Sequence, residues 1–88
     1  MANQAPEKTF RIGRISAAVF KNTIELKDGP SAGQRRVVRS VNVQRSYQDD
    51  EGKWEYTTSF QLADLPAAVR VLQLAQQFVE SQEVDTTP

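Results

Sequence analysis

The sequence predicts an α+β fold: a curved antiparallel sheet of three to four strands followed by one C-terminal helix, in the order ββββα or βββα. Three features predict it. From Phe10 onward apolar and polar side chains alternate, with one slip. Two β-branched and aromatic runs, 37–47 and 54–60, flank a short acidic segment that contains glycine, the pattern of a hairpin. Beyond residue 62 the apolar period lengthens to that of a helix. One domain over residues 9–81 is expected, between a disordered N-terminus, 1–8, and a disordered tail, 82–88.

In the first strand Phe10 and Ile12 face one way and Arg11 the other. The alternation slips at Gly13-Arg14 and resumes with Ile15, Ala17 and Val19 inward. A glycine at such a slip reads as a β-bulge in a continuing strand, which ends near Asn22 or extends through Ile24 and Leu26. Residues 28–36, DGPSAGQRR, hold two glycines and a proline and read as a turn or mobile loop. The hairpin follows. With a turn at Asp49-Asp50-Glu51-Gly52, Gln48 pairs with Lys53, Tyr47 with Trp54, Arg45 with Tyr56, Val43 with Thr58, and Val41 with Phe60. Side chains alternate with a period of two, so the last four pairs share one face. Its outer half, Arg45, Tyr47, Trp54 and Tyr56, forms an aromatic and cationic platform wherever the helix does not reach. The opposite face carries Ser16, Ser40, Asn42, Gln44, Ser46, Thr57 and Ser59 beside Arg11 and Arg14, and is polar and nearly free of aromatics.

In the final element Asp64 is the expected N-cap, with Pro66 in the first turn, where its missing N–H costs nothing. Arg70, Gln73, Gln77 and Glu80 form one narrow polar arc. The apolar remainder spans roughly twice the ~100° that a single sheet covers. One flank is therefore expected to pack on the domain's own sheet and the other on a symmetry mate, through Val71, Leu74, Ala75 and Phe78.

Composition excludes several functions. The 88 residues contain neither cysteine nor histidine. That removes disulfides, zinc in its usual ligand sets, and the commonest general base. The acidic turn lacks the ligand spacing of a calcium loop, and no phosphate loop or nucleophile motif occurs. No catalytic residue, metal, cofactor or small-molecule substrate is expected, and the chain does not read as an enzyme. No stretch approaches the ~20 apolar residues of a membrane span, and no signal sequence stands at the N-terminus, so a cytoplasmic protein is expected. Residues 1–46 hold nine Lys/Arg and three Asp/Glu, and residues 47–88 hold two and eight, giving +6 against −6. Either a nucleic-acid partner or attraction between the two halves accounts for that asymmetry.

Exposed aromatics among cations suit single-stranded DNA or RNA, whose bases stack on rings while phosphates meet Lys and Arg. The candidate contacts are Arg45, Tyr47, Trp54 and Tyr56, with Arg11, Arg14, Lys21, Arg39 and Lys53 supplying charge. The competing reading makes the wide helix and the aromatic hairpin protein–protein surfaces, since such cross-strand pairs also stabilise hairpins. The stretch RSYQDDEGKWEYTTSFQL, between a strand and a helix, resembles the transcriptional coactivator family called positive cofactor four. The resemblance covers residues 37–80 and rests on Arg45, Tyr47, Gly52 and the helix. It implies four strands plus a helix, a homodimer joined through the helices, single-stranded DNA binding and a role in transcription or DNA maintenance. The whirly proteins share that architecture. Gln48 stands where the coactivators usually have an aromatic, and Tyr56-Thr57-Thr58-Ser59 replaces a basic, glycine-containing run, so only Arg45 and Tyr47 carry over. The chain also resembles a group of small uncharacterised bacterial proteins that share an R-S-Y…W…D-L…A pattern.

Overall fold

The computed structural model describes residues 5–25, 27, 29 and 33–83. Four strands, β1 (Lys8–Ile12), β2 (Ile15–Glu25), β3 (Arg35–Gln48) and β4 (Trp54–Thr57), lie side by side in chain order, each antiparallel to its neighbour. One 3₁₀ turn, Leu62–Asp64, leads into helix α1 (Leu65–Glu83). The fold is ββββα. No helix is long and apolar enough to cross a membrane among the described residues.

Gly13-Arg14 is a chain reversal and not the expected bulge. Ile12 pairs with Ile15 and Phe10 with Ala17, which leaves a two-residue loop. Gly13 has φ +60° and Arg14 stays at negative φ, the combination that a type II′ hairpin turn demands. A bulge and a two-residue turn shift the alternation alike; only strand pairing separates them. Arg35 and Arg36 begin β3 instead of ending a loop. Residues 28 and 30–32 of the expected turn lie outside the described residues.

The register of the second hairpin is also corrected. The Asp49 N–H donates to the Lys53 carbonyl and the Gly52 N–H to the Asp49 carbonyl, both at 2.9 Å. Asp49 Oδ1 accepts from the N–H groups of Glu51 and Lys53, also at 2.9 Å. With Gly52 at φ +80°, the loop is Asp50-Glu51-Gly52 closed by a glycine bulge. Gln48 therefore pairs with Trp54, Ser46 with Tyr56 and Arg45 with Thr57. Each pairing differs from the expected one by a single residue, and such a slip moves side chains to the other face. Trp54 and Tyr56 leave the face of Arg45 and Tyr47. β4 ends at Thr57, so the Val43–Thr58 and Val41–Phe60 pairs do not form.

Helix α1 lies across β1, β2 and β3 on one side of the sheet. Ile15, Ala17 and Val19 from β2 and Ala68, Val71 and Ala75 from α1 are buried, with Phe10, Val41, Val43, Phe60, Phe78 and Val79 packed around them. Alanines in both layers let the backbones approach closely. Phe10 and Phe78 meet edge to face at 6.2 Å. The four residues expected at a dimer interface fall largely within this core: Val71 and Ala75 are buried, Phe78 packs on Phe10, and Leu74 is half-buried. Instead Leu62, Leu65, Val69 and Leu72 form the exposed apolar flank of the helical segment.

Two arginines on the helix-covered side of β3 hold the ends of α1. Arg45 Nε donates to the Ser59 carbonyl at 3.2 Å and lies 3.1 Å from Asp64 Oδ2. That carboxylate also accepts the Gln61 N–H at 2.9 Å. Gln61, not Asp64, is thus the N-cap of the helical segment, and Asp64 reaches back to it from the first turn. Arg39 bonds Glu7 through Nε, at 2.9 Å, and through Nη2, while its Nη1 lies 3.7 Å from Glu83. Glu7 and Glu83, which lie outside the expected domain bounds of 9–81, thus have partners in the fold; residues 1–4 and 84–88 of the expected disordered ends lie outside the described residues.

The hydrogen bond from Arg39 holds the Glu7 carboxyl below its ordinary value. A carboxylate depressed in the folded state contributes stability above its unfolded pKa and loses it as pH falls through the folded value. Denaturant unfolding followed from pH 7 downward should show this loss beginning at the ordinary glutamate range and continuing below it. Glu7→Gln should remove that component, and an unchanged acid limb in the variant would refute it.

Candidate nucleic-acid interface

Among the described residues no element packs on the sheet face opposite α1, the open face. Its strand positions are Thr9 and Arg11 on β1, the even-numbered residues of β2 and β3, and Trp54 and Tyr56 on β4. They include serines, asparagines, glutamines and the cations Arg11 and Arg36, and no aspartate or glutamate. The strand carboxylates Glu25 and Glu55 belong to the helix side by register. The slip of one residue in the hairpin thus places both β4 aromatics on the serine-rich face.

Trp54 and Tyr56 are 52% and 64% exposed, although large aromatics usually find cover. The Arg14 guanidinium carbon sits 5.3 Å from the centroid of the Trp54 ring, within cation–π range. Arg14 is held there by the turn itself, because the Ser46 N–H donates to its carbonyl at 2.9 Å and ties the β1–β2 reversal to β3. Arg11, Gly13, Arg14, Ser16, Ser46, Trp54 and Tyr56 line a shallow cleft of about 290 Å³. A second depression of about 330 Å³, lined by Gln44, Tyr56, Thr57 and Thr58, shares Tyr56 with the first. Each aromatic therefore stands beside hydroxyl, amide or guanidinium groups able to bond phosphates or base edges.

Of the expected contacts, the structure brings together Arg11, Arg14, Trp54 and Tyr56. It separates the rest. Arg45 lies on the covered side, bonded to Ser59 and Asp64, with Tyr47 at 5.9 Å. Arg39 is engaged by Glu7 and Glu83. Lys21 shares the side of Arg39 by register, and Lys53 lies 3.8 Å from Glu55 at the hairpin turn. The opposed halves of the sequence are thereby joined inside the fold, at Arg39–Glu83 and Arg45–Asp64, while the strand positions of the open face carry Arg11 and Arg36 and no carboxylate. Gly13 and Thr58 also line these depressions, although neither stood among the expected contacts. The signal for Gly13 was present, since glycine followed by another residue between alternating runs is the type II′ preference.

Among the described residues no group of three or more Asp or Glu could hold a metal ion. No family model, curated protein or solved structure matches this chain.

Proposed function

We propose that this chain is a single-stranded nucleic-acid-binding module that takes DNA or RNA on the open face of its sheet. The observation that carries this reading is the pair of exposed aromatics, Trp54 and Tyr56, beside Arg14 and Arg11 on strands without a carboxylate on that side. Trp54 and Tyr56 serve as stacking surfaces. Arg14 and Arg11 meet the phosphates that flank a stacked base, and Ser16, Ser46 and Gln44 hydrogen-bond the backbone or base edges. Stacking accepts every base, since each has a π-face, so sequence preference is weak. The resemblance to the coactivator family points the same way at the level of ligand, but through different residues.

Trp54 is the only tryptophan, so its fluorescence reports directly on the site. Titration with short single-stranded oligonucleotides at low salt should quench it, and the apparent affinity should fall linearly on a log–log plot as salt rises. The slope should correspond to about 0.7 per neutralised phosphate. Unchanged fluorescence at low salt across oligonucleotides of several compositions would remove the proposal.

A further inference from the structure

A different part of the molecule carries a second surface. β3 runs for fourteen residues, but β4 pairs with only its last four, Arg45 to Gln48. Along residues 36–44 the side of β3 away from β2 has no strand beside it among the described residues. An edge of that length presents a row of unpaired backbone donors and acceptors, a template for another strand. Its side chains are mostly β-branched or uncharged, which gives little of the usual protection.

The exposed helix flank stands over the same border of the sheet. Phe78 meets Phe10 on β1, at the opposite border. Val69, nine residues earlier, is about 180° from Phe78 on the helix at 100° per residue, and Leu65 and Leu72 lie on the same flank as Val69. Their exposures of 44%, 53% and 46% for Leu65, Val69 and Leu72 therefore line the side on which β3 is bare.

We propose that this border is a seam between two copies of the chain, with β3 pairing antiparallel to β3 about a two-fold axis through Ser40. A second copy fits because an isologous contact uses the same patch twice. The partner supplies both things missing here, a strand for the edge and an apolar stripe for the helix flank. The register follows from parity. Helix-side residues of β3 are odd-numbered, and a two-fold axis normal to the sheet keeps each face with its like, so the axis passes through a residue. Ser40 is the centre of the bare stretch 36–44. Within the bare stretch this places Val37 opposite Val43, Arg36 opposite Gln44 and Arg39 opposite Val41, with no arginine facing another; the next pair, Arg35 with Arg45, falls beyond it, where β4 occupies the edge. Centring on Arg39 instead would oppose two guanidinium groups. The seam joins both open faces into one continuous sheet and does not depend on what that face binds.

The chain has no cysteine, so single cysteines report position without background. On the axis the two Ser40 Cα atoms would lie about 4.5–5.5 Å apart, within disulfide range. Ser40→Cys should form a disulfide-linked dimer under mild oxidation. Thr9→Cys, on the same face but on β1, should not. Wild-type protein should sediment as a concentration-dependent dimer at micromolar concentrations, and Leu72→Glu in the Ser40→Cys background should abolish cross-linking with unchanged circular dichroism. A wild-type chain monomeric at every concentration would overturn the seam, as would equal cross-linking at Thr9→Cys. Cross-linking by Leu72→Cys but not by Ser40→Cys would overturn the strand pairing in favour of a helix-only contact. No arm involves an oligonucleotide, so failure here leaves the binding proposal standing, and the reverse also holds.

Discussion

Trp54→Ala should weaken binding of a single-stranded oligonucleotide by about tenfold or more, while Tyr47→Ala should leave it within about twofold. A base stacked on an aromatic side chain is worth ~1–3 kcal/mol by alanine substitution, and every ~1.4 kcal/mol is a factor of ten in affinity. The contrast between the two variants is the informative part. Pairing read from a four-residue turn puts Tyr47 and Trp54 directly opposite each other on one platform, so that both substitutions weaken binding together. The glycine bulge at Gly52 separates them onto opposite sides of the sheet. Trp54→Phe should recover most of the lost affinity, because it keeps a ring. Arg14→Ala should instead lower the salt dependence by about one phosphate contact. Equal losses at Tyr47 and Trp54 in a fluorescence-anisotropy titration with labelled oligonucleotide would place the site on the other face.

Val71→Ala should destabilise the domain by about 2 kcal/mol, and Leu72→Ala by much less, although the two are neighbours on one helix. Val71 is 0% exposed against 46% for Leu72. Removing two buried methyl groups costs about 0.8 kcal/mol each in transfer free energy, with a further cost for the cavity. In a domain this small that lowers the melting temperature by roughly 10 °C. The loss at Val71 should be the same at low and high protein concentration, because its contacts lie within one chain. On the proposed seam, the smaller loss at Leu72→Ala should instead depend on protein concentration. Thermal melts at two concentrations a hundredfold apart measure both. A Val71→Ala effect that grew on dilution would restore Val71 to a subunit interface.

Most of the architecture was legible in the sequence. Alternation from Phe10, the β-branched run at 37–47 and the apolar arc after residue 62 each report which side of one element is buried, and each is a local property. The excess apolar width of the helix was also legible, and so was an aromatic hairpin beside cations. The boundaries of β1 and β2 were not, because Gly13-Arg14 shifts the alternation identically whether the chain bulges or reverses. Which residues fill the helix's excess width was equally hidden. Val71 and Leu72 point about 100° apart yet both fall within the wide apolar arc, and only the crossing of α1 over β2 buries the first and leaves the second exposed.

By itself the sequence determined the order of elements, the amphipathic side of each, and the residue types available to a ligand. Tertiary structure decided which of those residues meet. Side-chain direction in a strand repeats every two residues, so one residue of hairpin register, controlled by a single glycine at positive φ, moves Trp54 and Tyr56 across the whole sheet. Composition likewise counts charges without pairing them. Distance in the fold assigns Arg39 and Arg45 to carboxylates and leaves Arg11 and Arg14 beside the exposed aromatics.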